Sequence, residues 1–352
     1  MSKISVQNLQ DVVLAVLARM GVPSTHADII ADSVLYAHTR GKHTHGIGRF
    51  SIYCRKIQEN LMDPKTPITV IRQTPVIDVL DACNGFGQVA AIEAMDRCAE
   101  KAKQYGMGLV GVRNSNNFGT AGFIGERAVQ KGMIGVVLSN SGPAIAPAGG
   151  SKPLFGTNPL CVSFPSDGTN PPIIFDMACS NAARGKIRLA AKNGESIPEG
   201  WAVDQNGAPT TDPNAALAGA MMAIGGYKGA GIAMCIDILA GMLTGSAFGG
   251  DARNLNHPSE PSRHGHMILA INPDYFMERG EYQEKLDYLI AKVKACGESG
   301  SVYMPGERSY EQSVKSAVYV DIGQKLVQEF NDLAARLGIS QRLACIPDAE
   351  EN

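Results

Sequence analysis

The segment Arg40-Gly41-Lys42-His43-Thr44-His45-Gly46-Ile47-Gly48-Arg49 gathers cationic and ring side chains in a polar, glycine-broken stretch. Histidine titrates near neutrality, so it can take or return the proton of a hydroxyl group. Arginine offers a planar fork that fixes a carboxylate through two parallel hydrogen bonds. His45 and Arg49, four residues apart, therefore supply the two groups that oxidation of a hydroxy acid needs, and Thr44 can donate to the same oxygen. Other readings use the same residues. A solvated loop with an incidental histidine has this composition too. His38, His43 and His45 could also ligate zinc in a metal-dependent hydrolase, but no cysteine or carboxylate lies close by to complete that set.

Three other segments carry chemistry. In Asp176-Met177-Ala178-Cys179-Ser180-Asn181-Ala182-Ala183-Arg184-Gly185-Lys186 an apolar strand ends in small residues and then cations. Free amides on small residues can cradle a pyrophosphate, and the cations, Arg184 among them, can neutralise it. In Gly225-Gly226-Tyr227-Lys228-Gly229 the lysine stands at the start of an apolar helix. A cation there opposes the helix dipole unless an anion also binds. A glycine-rich packing turn is the equal alternative. The segment Phe155-Gly156-Thr157-Asn158-Pro159-Leu160 sets polar side chains, Asn158 among them, at a strand end, which turn chemistry alone also explains.

One apparent motif is rejected. Gly106-Met107-Gly108-Leu109-Val110-Gly111 matches GxGxxG, but the dinucleotide fingerprint must follow a strand and open a helix. Here a helical stretch (88–104) comes first and the glycines open a strand.

The elements that must hold these residues read as follows. Helical stripes run over 8–20, ended by Gly21, and from a cap at Ser24 or Thr25 to Ala37. Residues 67–80 read as strand. Short apolar strands ending in polar loops follow from 108 to 180, and 197–213 reads as a hairpin. Helices are expected at 215–222, 229–243, 282–296 and 311–336, with a strand in HMILAINPDYF and a loose tail over the last dozen residues. The alternation predicts an α/β (α+β) protein. The expected division is a discontinuous helical domain, 1–75 with 280–352, around a sheet domain, 76–279. With 352 residues, 44% apolar residues and net charge -2, the chain has no field to attract nucleic acid or an anionic membrane. Its eight cysteines form no CxxC pair and read as reduced thiols of a cytoplasmic protein. The apolar stretch 229–250 holds Asp237 and six glycines, which fits a packed helix better than a membrane span.

In their shared order, RGKHTHGIGR (40–49), FGTNPL (155–160), FDMACS and ARGK (175–186), IPEGWAVDQNGAPTTDP (197–213), GGYKGAGIAMCIDILAGMLTG (225–245) and MPGE (304–307) resemble the type-2 malate/L-lactate dehydrogenase family. That family also contains sulfolactate, ureidoglycolate and diketogulonate enzymes and a cyclic-imine reductase. The resemblance implies a non-Rossmann fold with a mixed, largely antiparallel sheet. It also implies NAD or NADP as cofactor, a small-molecule substrate, and a homodimer or larger assembly with the active site near the interface. It makes His45 the acid/base residue, Thr44 the counterpart of the family's serine, and Arg49 the carboxylate anchor, with Tyr53 nearby. Asp176, Met177, Ala178, Cys179, Ser180, Tyr227, Lys228, Gly306 and Glu307 fall where members contact the dinucleotide. Asn117 stands where many members carry a second histidine, and Ala148 where a bulky aromatic is common. Both departures leave the substrate open. It is either a 2-oxo acid or, on the same scaffold, a cyclic ketimine. A non-catalytic nucleotide-binding protein is the further alternative.

Overall fold

The computed structural model describes residues 2–168, 170–298 and 300–346. A short strand, β1 (Ser2–Ser5), leads into α1 (Val6–Arg19), where Ser5 Oγ caps the helix by accepting from Asn8 N–H at 3.1 Å. In α2 (Ser24–Thr39) Ser24 is already helical, Pro23 takes the cap position and no side chain caps the end. Thus neither Ser24 nor Thr25 is the cap. Helix α3 (Ile47–Gln58) grows directly out of the polar histidine segment. The strand expected over 67–80 is two strands, β2 (Thr69–Gln73) and β3 (Ile77–Asp81), reversed at Pro75 with Thr74 Oγ1 accepting from Ile77 N–H. Then come α4 (Gly87–Tyr105), ended by Gly106, β4 (Met107–Ser115), α5 (Ala121–Gln130), β5 (Ile134–Ser139), β6 (Leu160–Phe164), β7 (Ile173–Met177) and α6 (Arg184–Asn193). A small three-stranded sheet of β8 (Ala202–Val203), β9 (Pro209–Thr210) and β10 (Ala220–Met221) encloses α7 (Pro213–Ala218). Helix α8 (Tyr227–Ile236) runs on as a wider π turn over Asp237–Met242. Strand β11 (His264–Ile271) and α9 (Arg279–Lys294) precede α10 (Glu307–Lys315), β12 (Tyr319–Ile322) and α11 (Gln324–Arg336).

Seven strands form the main sheet in the order β2-β3-β4-β11-β5-β6-β7. Every neighbouring pair is antiparallel except β3 and β4, which α4 joins as a parallel crossover. The sheet is therefore mixed and largely antiparallel, and it lacks the parallel doubly wound order of a Rossmann fold. Alternation along the strands separates two cores. Val110, Val112, Val137 and Ile268 pack under α4 and α5, while Leu109, Leu138 and Met267 face α8 and its π turn. A third core joins the chain ends, with Ile4, Leu9 and Phe50 against Val320, Phe330 and Leu343.

The single helix expected over 311–336 is wrong. Strand β12 divides it and pairs with β1, Ser2 opposite Ile322 and Ile4 opposite Val320. Val320 and Ile322 stand two apart, the spacing of one strand face, and β1 buries both. The expected helix over 215–222 likewise ends at Ala218, and Ala220–Met221 pair with β8. The expected loose tail is corrected over 341–346. Leu343 is buried, and Asn8 bonds both Arg342 and Ala344; the rest of that tail, 347–352, lies outside the described residues. Asp237, alone in the most apolar stretch, accepts from Asn140 Nδ2 at 3.1 Å and Gly249 N–H at 2.7 Å. Among the described residues no helix is long and apolar enough to cross a membrane.

Candidate active site

The polar segment 40–46 is fastened at two points. Arg40 pairs with Glu126 at 2.9 Å while lying over the Tyr36 ring, and Lys42 pairs with Asp176 at 2.6 Å. These contacts bind the loop to α5 and to the end of β7. His45 then precedes α3, outside the helix, while Arg49 and Tyr53, four residues apart, share one face of it, and the Arg49 charge acts on His45. His45 is half-buried, with Nδ1 3.0 Å from Thr44 Oγ1. Arg49 Nε donates to the Thr44 carbonyl at 3.0 Å, and its terminal nitrogens have no protein acceptor among the described residues. Tyr53 is buried. Its hydroxyl donates to Asn117 Oδ1 at 2.9 Å and is also bonded by Gln88.

Charge and burial act together here. Burial, then the Arg49 cation, push the His45 imidazole down to about 3, against an opposing pull from Asp176. Burial likewise pushes the Tyr53 phenol up to about 12. His45 is thus neutral at pH 7, in the form of a base. Burial lowers Arg49 as well, with the field of Arg188 adding to it.

The segments expected to meet a dinucleotide converge on β7. Beyond that strand, Ile224 N–H donates to Cys179 O at 2.8 Å and Ser180 bridges to Ala223, which sets Tyr227 and Lys228 beside 176–180. On the other side Ile174 N–H donates to Pro305 O at 3.0 Å, bringing Gly306 and Glu307 alongside. Gly306 has φ +91°, and a Cβ there would meet Ile174 O at 2.8 Å, so this approach requires glycine. On the Gly306 side of β7 opens a cavity of about 390 Å³, lined by Tyr36, Lys42, Asp176, Gly306, Arg308 and Tyr310 among others. Lys228 is exposed on the first turn of α8 and has no ion pair among the described residues. Gly226 before it has φ +64° with open space where a Cβ would stand. A walled cavity, an unpaired cation at a helix start and open glycine backbone fit a bound dinucleotide.

Several expected contact residues have other duties. Asn158 is fully buried. Its Nδ2 donates to Ala233 O at 2.8 Å and its Oδ1 accepts from Ser141 N–H at 3.1 Å, so the amide is an internal strut and does not reach the site. Cys179 is buried with Sγ against Asn158 O, and the Ser180 hydroxyl donates to Ala182 O at 2.7 Å, leaving the backbone of both as the surface on offer. Met177 and Ala178 are half-buried at the strand end. Glu307 is held by Lys294 at 2.5 Å and by Met304 N–H. Arg184 donates to Pro143 O at 3.0 Å. Among the described residues no three His, Cys, Asp or Glu side chains are grouped to hold a metal. The His38 and His43 rings meet edge to face, and His38 Nε2 lies 3.3 Å from Asp321 O, so the zinc reading finds no ligand set among the described residues.

Sequence reading missed Gln88, Arg188 and Arg308. Gln88 comes from the start of α4 and carries no local signal. Arg188 lies one turn after Arg184, and recognising α6 as a helix would have aligned the two.

A family model described as malate/L-lactate dehydrogenase matches residues 4–331. An L-sulfolactate dehydrogenase of Methanothermobacter thermautotrophicus is 39% identical over 339 residues, covering 96% of this chain and 98% of the relative. The solved structure of a sulfolactate dehydrogenase from Methanocaldococcus jannaschii superposes with TM-score 0.90 at 35% identity, over 96% of this chain and 98% of that one. That of a delta1-piperideine-2-carboxylate reductase from Pseudomonas syringae pvar. tomato gives 0.86 at 29% identity, over 95% and 100%.

Proposed function

Since this chain belongs to the malate/L-lactate dehydrogenase family, we propose that it interconverts a small 2-hydroxy acid and its 2-oxo acid with NAD or NADP. The observation that carries this reading is the Arg49 cation set beside both His45 and Tyr53, next to the end of β7, where Lys42 pairs with Asp176 on the wall of the cavity that Gly306 also lines. When bound, the nicotinamide supplies or accepts the hydride at the substrate carbon.

The chain's own groups do the rest. Arg49, with free terminal nitrogens, grips the carboxylate next to the reacting carbon. Neutral His45 takes the hydroxyl proton during oxidation and returns it to the carbonyl oxygen during reduction. An anion on Arg49 offsets the cation that depresses His45, so binding itself raises the imidazole's affinity for a proton. Thr44 holds Nδ1 and thereby orients the ring. Tyr53, pinned by Asn117 and Gln88, closes the far end of the face. Asp176, Met177, Ala178, the backbone of Cys179 and Ser180, Arg184, Tyr227, Lys228, Gly306 and Glu307 form the dinucleotide's walls.

The protein acts in the cytoplasm as a homodimer. Ile232, Met234, Leu239, Met242, Leu243 and Phe248 expose an apolar face on and just beyond α8, and a second copy covers it. Because α8 also carries Lys228, the interface lies beside the cofactor wall.

Cyclic ketimine reduction is the second reading, favoured by the likeness to the piperideine-carboxylate reductase. A panel of 2-oxo acids and cyclic imines, each with NADH and NADPH, tests both. Turnover of oxo acids well above imines is expected. Turnover of imines alone overturns the first reading, and turnover of neither overturns both.

A further inference from the structure

Four charged side chains line the cavity on the Gly306 side of β7, namely Arg40, Lys42, Asp176 and Arg308. Three of them are already matched. Glu126 holds Arg40 at 2.9 Å, and Lys42 and Asp176 hold each other at 2.6 Å. Arg308 pairs with no carboxylate among the described residues. Glu307, its neighbour in the chain, is bound instead by Lys294 and by Met304 N–H. The Arg308 guanidinium lies over the Tyr303 ring, 4.1 Å from the centroid, a contact that consumes no N–H donor. The backbone beneath it is fixed, because Pro305 O accepts from Ile174 N–H and Gly306 packs too closely on β7 to carry a Cβ. The cavity wall thus carries one unbalanced cation whose donors are unspent.

The rest of the wall says which part of a dinucleotide suits it. His45, Arg49 and Tyr53 do not line the cavity, so it lies away from the reacting groups. Tyr36, Phe175, Tyr303 and Tyr310 do line it, and the last three are exposed large rings. Aromatic faces of this kind stack a nucleobase, which suits the adenosine half. NAD and NADP differ only there, at the ribose 2′ position. A free carboxylate accepts from a 2′-hydroxyl and repels a 2′-phosphate, and a free arginine favours the phosphate through its planar fork. The cavity offers no free carboxylate, since Lys42 occupies Asp176, and it offers a free arginine. Ser309, the next residue on the wall, adds a hydroxyl donor. We propose that Arg308 receives the 2′-phosphate, which makes this chain specific for NADP(H) over NAD(H). The inference rests on the proposed dehydrogenase activity and narrows its cofactor to one of the two.

The experiment measures Kd for NADPH and NADH by fluorescence titration in the wild type, Arg308→Gln and Arg308→Lys, without substrate. The wild type should bind NADPH more tightly than NADH by about 10- to 100-fold, the worth of one charge-assisted contact. Arg308→Gln should remove most of that preference by weakening NADPH far more than NADH. Arg308→Lys should keep part of it, since a point charge replaces the fork. Added salt should weaken NADPH more than NADH in the wild type, and the difference should shrink in Arg308→Gln. Fragments give a second readout. Adenosine 2′,5′-bisphosphate should raise the melting temperature of the wild type more than ADP does, and Arg308→Gln should lose that margin. Equal affinity of the wild type for NADPH and NADH overturns the 2′-phosphate site, and turnover of an oxo acid with either still leaves the dehydrogenase reading standing. If Arg308→Gln weakens both dinucleotides alike, Arg308 serves a part that the two share and the inference fails. Binding of neither dinucleotide, with turnover of no oxo acid or cyclic imine, removes the dehydrogenase reading and this inference with it.

Discussion

Two regions on either side of Asn116 and Asn117 use the same kinds of side chain in opposite ways. Beneath β11, His266 Nδ1 and Nε2 each lie 2.8 Å from a serine, Ser139 and Ser115. The serine hydroxyls also reach backbone carbonyls, Ser139 Oγ that of Asn140 at 2.9 Å, so both ring nitrogens of His266 are engaged inside the fold. His264 Nε2 bonds Arg253 O, and Asn140 fills its amide with Asp237, Ala247 O and Gly265 N–H. This network is closed and buried. Around the start of α3, among the described residues, His45 has Thr44 as its side-chain hydrogen-bond partner and Arg49 has spare donors, and neither Arg188 on α6 nor Lys228 on α8 pairs with a carboxylate. Both His45 and His266 are displaced to about 3, each chiefly by burial. The displacement therefore does not tell a working histidine from a structural one. Unspent hydrogen-bonding capacity and unbalanced charge do.

The sharpest test of that contrast replaces the two histidines. His45→Ala should lower turnover by about 10²–10⁴-fold while its melting temperature moves little, because its one side-chain hydrogen bond lies at the surface. Near-normal turnover would remove His45 from the proton transfer. His266→Ala should do the reverse. It strands two buried hydroxyls and opens a void, costing about 2–4 kcal/mol of stability, with turnover per folded molecule kept. Denaturant titration and active-site-normalised rates separate the two outcomes.

A second test uses Lys228. Lys228→Met should weaken dinucleotide binding by about 10- to 100-fold, the loss of one charge-assisted contact. With no dinucleotide present its melting temperature should stay level or rise slightly, since an unfavourable charge at a helix start disappears. Unchanged affinity with early melting would make Lys228 structural and move it to the closed region.

Acidity probes both regions at once. His38 and His264 are held down to about 4, and His45 and His266 to about 3. Unfolded, all four bind protons near 6.5. The unfolded chain thus takes up more protons, and the stability present above pH 6.5 should drain away as pH falls towards 4. A melting temperature level from pH 7 to 4 would contradict these burial effects. The smallest effect concerns rate. With His45 already neutral, kcat/KM for oxidation should stay nearly flat from pH 8 to 5, while kcat/KM for reduction, which needs the protonated ring, should climb as pH falls. An opposite slope would assign the proton to another group.

Much of the scaffold was legible in local sequence. Helices α1, α2 and α4 announce themselves by their stripes and by Gly21 and Gly106 at their ends. The GxGxxG match fails for a local reason as well, since Gly106 ends a helix and Met107 opens β4. Other elements were not legible. Helices α3, α5 and α6 begin among glycines and polar residues that suit a loop equally well. Strand β12 exists because β1 lies beside it, with 313 residues or more of chain between paired positions such as Ser5 and Tyr319. Asn158 looked like a site residue because it ends a polar turn, yet its surroundings absorb both ends of its amide.

Taken alone, the sequence determined which side chains could perform the chemistry. A histidine and an arginine four residues apart, a lysine among glycines and a strand ending in small residues are covalent facts, and their chemistry goes wherever they go. Tertiary structure decided which of them are free to act. Whether a hydroxyl, amide or guanidinium is already satisfied depends on partners that arrive from far along the chain. Asp176 reaches Lys42, and Asn117 reaches Tyr53. Hydrogen bonds and fields act over a few ångströms of space and are indifferent to separation in sequence, so only the folded chain could divide equal histidines into one that is spent and one that is available.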